Sequence, residues 1–394
     1  MRRISADMIF DGRELHTDHR VLLLHEDGRI IDMVTASDAG TDVEHYNGLL
    51  LPGFVNAHCH LELSHMKGMI PEHTGMVPFL LQVAKQRGVE KELIMRAMQE
   101  AVAEMENSGV VAVGDICNTA DSISVKTNSF IQWHQFIEVF GSDHRMAEQR
   151  MNAALQVQAQ FREALPQFSA TLTPHAPYSI SPLLYQLLSE AIGDSIITMH
   201  NQESIAENEL FLNGSGDFLE LYKQLNPGLT PFWPSDKRSL STWLPQFPKP
   251  KRIMMVHNVD MAANEVDFAQ TFAAFHQQHH YYCICVRANL YIQNTLPPLA
   301  MLRHKGCTLV VGTDSLASNH SLNMLDELRA IQLAFENEIT LPELLQWVTL
   351  NGAAALKMEN NLGSFDAGKK PGVMLMENLQ AYAIVPETRI RRLF

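Results

Sequence analysis

Pro52-Gly53-Phe54-Val55-Asn56-Ala57-His58-Cys59-His60 closes an apolar segment that begins at Leu49, and it sets two histidines one residue apart. In a β-strand alternate side chains share a face, so His58 and His60 project together while Cys59 projects the other way. Two imidazoles leaving one strand end are half of a divalent metal site. The pattern alone is weak, because 18 histidines in 394 residues yield roughly one His-x-His by chance. Its weight comes from what lies downstream.

Three later apolar runs end in the same kind of side chain. Ile196-Ile197-Thr198-Met199-His200 is followed by Glu203, Ile253-Met254-Met255-Val256-His257 repeats the arrangement, and Thr308-Leu309-Val310-Val311-Gly312-Thr313 delivers Asp314. Any one of these is better read as a satisfied or solvated residue. The ordered set, preceded by His58 and His60, points to a site assembled at strand ends. Eight strand-like runs lie near 51–57, 110–116, 130–140, 169–174, 196–200, 253–258, 281–286 and 308–313, separated by helical patterns such as Glu90 to Asn107 and Leu322 to Asn337. Buried strands alternating with helices imply parallel crossovers. Eight such units fit an α/β fold of the (β/α)8 TIM barrel type, whose active site sits at the C-terminal strand ends. The candidate ligands fall there.

The two ends of the chain read differently. Residues 1–48 hold short strand-like runs broken by Asp11-Gly12 and Asp27-Gly28, and residues 362–372 form a turn-dense return before the apolar Val373-Met374-Leu375-Met376. Turn pairs between short strands indicate a small β-rich unit. The division expected is therefore 1–48 plus 362–394 against a barrel at 49–361. The proline- and aromatic-rich stretch Asn226 to Lys251, with Phe232, Trp233 and Trp243, follows the fifth strand; a lid over the pocket and a stiffened surface loop both fit it.

Composition sets limits on partners. At 46% hydrophobic and 19% charged residues the chain is globular. A formal net charge of −14 argues against nucleic-acid or anionic-membrane binding, which need basic patches. Two arginines at the start lack a long apolar core after them, so no signal peptide is read there, and no apolar run approaches the roughly 18 residues of a spanning helix. Five cysteines without framework spacing suit a reducing, cytoplasmic compartment. Cys283 and Cys285 lie inside an apolar strand with no second pair and are read as buried thiols.

The strings PGFVNAHCH, TPHAPYSIS, MHNQES, VHNV and VGTDSLASNHSLNMLDELR together resemble the amidohydrolase superfamily, in its cytosine-deaminase-like branch of mononuclear aminohydrolases. They spread over about three quarters of the chain, and Asp314-Ser315-Leu316-Ala317-Ser318-Asn319 is particular to that branch. The resemblance implies a TIM barrel with a small β-sandwich built from both termini. It also implies one divalent metal ion, Zn2+ or Fe2+, held by His58, His60, His200 and Asp314. Asp314 then moves a proton between water and the departing amine, His257 stabilises developing charge, and Glu203 protonates the ring nitrogen. The expected reaction is hydrolytic deamination of an amino-purine nucleoside or related amino-heterocycle, with release of ammonia. The fourth strand, Phe168 to His175, lacks the lysine of dinuclear relatives.

Leu61-Glu62-Leu63-Ser64, and the segment from His200 through Glu207 to Phe218, are similar to the group acting on 6-amino-6-deoxyfutalosine. Deamination of guanine, a cytosine-like base or S-adenosylhomocysteine, and displacement of chloride from a triazine, are the alternatives within enzymes; a panel of amino-heterocycles separates them. A non-catalytic scaffold is the alternative outside, and such relatives usually lose ligands that are all present here. By resemblance Glu62 holds the base edge and His175 the nucleoside sugar, though each equally suits a residue that orients a ligand. Arg287 is a candidate partner for a substrate carboxylate or a member of a structural ion pair. It lies in Cys285-Val286-Arg287-Ala288-Asn289, where many relatives read CPRSN, which leaves the serine position without a role. A small-molecule substrate and a homodimer complete the expectation.

Overall fold

Residues 1–225, 234–335 and 338–394 are described by the computed structural model. The chain opens with β1 (Arg2–Phe10), β2 (Leu15–His16), β3 (Val21–Leu24), β4 (Ile30–Val34) and β5 (Glu44–Pro52). It then runs through β6 (Phe54–Cys59), β7 (Val110–Cys117), β8 (Gln132–Val139), β9 (Ser169–Pro174), β10 (Ile196–Asn201), β11 (Arg252–His257), β12 (His279–Ile284) and β13 (Thr308–Val311), and ends with β14 (Val373–Glu377) and β15 (Arg389–Arg392). The eight strands β6 to β13 match the eight runs read from the sequence.

β6 to β9 pair in order as one parallel sheet and β10 to β13 as another. Two seams close them into a (β/α)8 barrel. At one, Thr313 N and Asp314 N both donate to His58 O at 3.1 Å, and Cys59 bridges Asp314 in parallel. At the other, the Thr173 hydroxyl substitutes for a ladder bond, donating to Thr198 O at 2.6 Å and accepting from Thr198 N at 2.8 Å. Outer helices follow the strands; Lys91–Asn107, for example, buries Met98, Ala101, Val102 and Met105, the i, i+3, i+4, i+7 stripe that a core-facing helix requires.

Strands from both termini join one seven-stranded sheet, β15-β14-β5-β1-β3-β4 with β2 on β1, where the sequence led us to expect a small sandwich. Period-two geometry explains its two apolar faces. Leu49, Leu51, Met374 and Met376 pack into the barrel's core, whereas Leu50, Val373 and Leu375 face a separate cluster with Ile4, Ile9, Leu22 and Phe365. β5 crosses the 48/49 division and carries Leu49 to Pro52 into this terminal sheet before β6 begins.

The helical pattern expected to Asn337 ends as Met324–Ala334, and Asn337 itself lies outside the described residues. Residues 226–233 of the expected lid also lie outside them. The later part of that stretch is core: Leu240, Trp243, Leu244 and Phe247 are fully buried, and Trp243 Nε1 donates to Asn201 Oδ1 at 2.9 Å. Among the described residues no helix is long and apolar enough to cross a membrane.

One buried ion pair escaped the sequence reading. Lys126, from the short helix Ile123–Thr127, sets its Nζ 2.6 Å from Asp115 Oδ2 and 3.2 Å from Cys117 Sγ, with both charged side chains fully buried. Rings of Trp133 and Phe161 flank the ammonium at 5.1 and 4.8 Å. Burial pushes the lysine pKa down, but Asp115 overrides this and holds it above the ordinary value. Asp115 Oδ1 in turn accepts from Leu61 N at 2.8 Å, anchoring the turn just after His60. Lys126→Met leaves that carboxylate buried without a countercharge, so a loss of about 3–5 kcal/mol is expected in chemical denaturation. The pair variant Lys126→Met with Asp115→Asn should recover part of the loss.

Candidate active site

The barrel strands release their polar side chains at one mouth. β6 carries His58 and is followed at once by His60, β10 carries His200, β11 ends in His257, and Asp314 follows β13 by three residues. At two of these ends the backbone leaves the extended region, with φ of 72° at His257 and 57° at Asp314. Left-handed conformations are uncommon outside glycine and gather at functional sites. Close approach of β13 to β6 also needs Gly312, since a Cβ there would stand 2.7 Å from His58 Cβ and 2.8 Å from His58 O.

His60 Nε2 lies 3.2 Å from both His58 Nε2 and His200 Nε2. Asp314 Oδ1 lies 3.6 Å from His58 Nε2 and 3.4 Å from His60 Nε2. Tetrahedral bonds of about 2.0–2.1 Å put neighbouring donor atoms about 3.3 Å apart, so the four residues fit a divalent metal ion. Electrostatics agree. Burial lowers the pKa of His60 and His200, keeping their lone pairs available. Burial alone would raise Asp314, but a hydrogen bond from His58 and the neighbouring imidazoles hold it well below the usual carboxylate range.

A surrounding layer orients these groups. His200 Nδ1 donates to His175 O at 2.8 Å, which turns Nε2 toward the cluster. Ser318 Oγ donates to Asp314 Oδ2 at 2.5 Å. Asn289 Nδ2 donates to His257 Nδ1 at 3.1 Å, leaving the ring proton on Nε2, and burial pushes the His257 pKa down to about 3. His257 Nε2 is 3.4 Å from Glu203 Oε1. Burial first, then the charges of Asp314 and Glu207, raise Glu203 well above its ordinary value, which favours its protonated form.

A cavity of about 410 Å³ opens over this floor, and His60, His175, His200, Glu203, His257 and Asp314 all line it. Its upper wall is apolar, from Met76, Phe79, Leu80 and Val83 of the helix Met76–Gln86, with Arg87 and Arg150 as its cations. Two expected substrate contacts are elsewhere. Glu62 accepts from Asn118 N, Thr119 N and Thr119 Oγ1 at 3.0–3.2 Å, and burial raises it to about 7; it holds the turn after β7 and is not among the described residues lining the cavity. Arg287 donates to Ser321 Oγ at 2.6 Å and pairs with Asp326 at 3.6 Å, likewise away from the lining. His175 does line it, with Nδ1 bonded to Ser179 Oγ at 2.9 Å. Gly312, Ser318 and Glu138 were missed; the strings TPHAPYSIS and VGTDSLASN contain the seryl groups but carry no signal of which partner each would reach.

The amidohydrolase family model matches residues 49–386. The chain belongs to the amidohydrolase family. It is 28% identical over 370 residues to an aminodeoxyfutalosine deaminase from a Nitratiruptor species, covering 89% of this chain and 87% of that one. Its structure is similar to the crystal structure of Helicobacter pylori aminofutalosine deaminase in complex with methylthio-coformycin, with a TM-score of 0.84 and 23% identity over 98% of this chain and 94% of that one. An adenosine deaminase from Xanthomonas campestris with bound zinc superposes at a TM-score of 0.73, at 19% identity over 98% of this chain and 86% of the other. Amidohydrolase membership accounts for the barrel.

Proposed function

We propose that this amidohydrolase is a metal-dependent deaminase of amino-purine nucleosides, releasing ammonia. The observation that carries the reading is the buried Glu203 beside His257, 3.4 Å apart, at the edge of the four-residue cluster and lining a cavity of about 410 Å³. His58, His60, His200 and Asp314 would hold one ion, Zn2+ or Fe2+, which when bound lowers the pKa of a water toward about 7. Asp314 takes the proton of the attacking water and later delivers it to the departing amine. His257, with its proton on Nε2, donates to the attacking oxygen. Glu203 gives its proton to the ring nitrogen next to the attacked carbon, so the ring accepts the electron pair. A single ion agrees with β9, whose residues Ser169–Pro174 include no lysine. The catalytic unit in this reading is the barrel, with residues 1–48 and 362–394 as its support.

The finer substrate assignment is 6-amino-6-deoxyfutalosine, an adenine nucleoside bearing a carboxyphenyl group. Support comes from the cavity's apolar lining, Met76, Phe79, Leu80 and Val83, which Arg87 and Arg150 share. Arg150 has no ion pair among the described residues and lies 5.6 Å from the Phe140 ring; an aryl carboxylate complements such a rim. Ammonia release from the carboxyphenyl nucleoside, methylthioadenosine, guanine, cytosine and an amino-triazine tests the assignment. The carboxylate substrate should lead in kcat/KM, and Arg150→Ala should lower that value about tenfold or more while leaving methylthioadenosine within about twofold. Equal loss on both substrates would reject the carboxylate subsite.

A further inference from the structure

We infer that Glu138 recognises the sugar of the substrate by accepting a hydrogen bond from a ribose hydroxyl at its Oε1; this rests on the nucleoside reading above. Glu138 is the penultimate residue of β8, its side chain is 4% exposed, and it lines the cavity. Its two oxygens differ. Oε2 accepts from Asn118 Nδ2 at 2.8 Å, whereas Oε1 is buried and has no hydrogen-bond partner among the described residues. His200 Nδ1 is 3.9 Å away, beyond hydrogen-bond reach, and already donates to His175 O. A carboxyl oxygen of this kind accepts hydrogen bonds, so an orphan one in a cavity wall calls for a donor from the ligand.

A second metal ion is the first competitor for that role, since ligating atoms of Glu138, His175 and His200 lie within 4.8 Å of one another. It fails on donor count. His200 Nε2 faces His60 Nε2 at 3.2 Å in the four-residue cluster, and Nδ1 is occupied as a donor. Only Glu138 and His175 would remain, too few for a divalent cation. A ligand ammonium is the second competitor. Arg87, which donates to Asn118 Oδ1 at 3.0 Å, and Arg150 line the same cavity and repel it. A neutral O–H remains. His175 has Nδ1 tied to Ser179 and keeps its other ring nitrogen for the same ligand. The His200 ring stands 5.5 Å from that of His257 and 4.9 Å from that of His175, centroid to centroid, so a purine seated at Glu203 and His257 would direct its sugar past His200 toward this pair.

The test couples side chain to hydroxyl on the metal-loaded enzyme. For each of Glu138→Ala and Glu138→Gln, kcat/KM is measured with methylthioadenosine and with its 2′-deoxy and 3′-deoxy forms. Wild-type enzyme should prefer the ribonucleoside to one deoxy form by about 10- to 100-fold, the ratio for a charge-assisted hydrogen bond. Glu138→Ala should erase that preference by lowering only the hydroxylated substrate, and Glu138→Gln, which can keep the Asn118 bond, should reduce it in part. Parallel loss on all three substrates, or a drop in bound metal, would assign Glu138 to positioning Asn118 or His200 and overturn the inference. Should wild-type enzyme turn over no amino-purine nucleoside, and a coformycin-type inhibitor show no heat of binding, the parent reading itself falls. Turnover or binding without the coupling removes only the role given to Glu138.

Discussion

Glu203→Gln is expected to lower kcat on an amino-purine nucleoside by about 10²–10⁴-fold, the span that positioned general acid–base catalysis contributes. Glutamine keeps the shape and neutrality of the protonated acid, so bound metal and thermal stability should be unchanged. Glu203 is outside the four-residue cluster, which makes metal content a clean control. The pH profile adds a second readout. Burial, reinforced by Asp314 and Glu207, raises the Glu203 pKa well above the ordinary value, and the protonated form is the donor. Activity is therefore full below that raised pKa and falls as pH climbs through it, about tenfold per unit. This alkaline limb should vanish from the residual activity of Glu203→Gln. A variant that still releases ammonia at the wild-type rate would remove Glu203 from the mechanism.

Removing the metal should have the larger effect. Exhaustive treatment with a chelator is expected to reduce ammonia release below detection, because an unassisted water with a pKa near 15.7 is a poor nucleophile. Readdition of Zn2+ or Fe2+ should restore it in proportion to bound ion, levelling at one ion per chain. Asp314→Asn should abolish activity and weaken metal retention together, since the same carboxylate lies 3.4 Å from His60 Nε2 and accepts from Ser318. Stripped protein should also unfold more easily, by about 4 kcal/mol if the free ion had stood at a thousand times its Kd. Full activity in a demetallated sample would overturn the reading.

The lysine pair and the sugar subsite mark how far residue patterns reach. His58 and His60 were legible because their shared direction follows from the two-residue period of a strand, and His200, His257 and Asp314 because each ends an apolar run. Eight such runs alternating with helical patterns also imply the barrel, as the observed β6 to β13 show. Glu62 and Arg287 each allowed two readings, a substrate contact or a structural partner, which residue type alone does not separate. The backbone amides of Asn118 and Thr119 claim the first, and Ser321 with Asp326 claims the second. Glu138 carried no visible mark, because a single glutamate in the run Gln132–Val139 differs from a solvated one only after the barrel closes.

Local geometry therefore accounts for which polar side chains reach the strand ends: strand direction and alternation act over a few residues and are written into the order of apolar and polar positions. Closure of the barrel accounts for the rest. It brought His58 and Asp314, 256 positions apart in numbering, within 3.6 Å across a seam that only Gly312 permits. It buried Lys126 against Asp115, and left one oxygen of Glu138 facing the cavity without a donor. These depend on which side chains meet after distant segments pack, and no periodicity along the chain encodes such meetings.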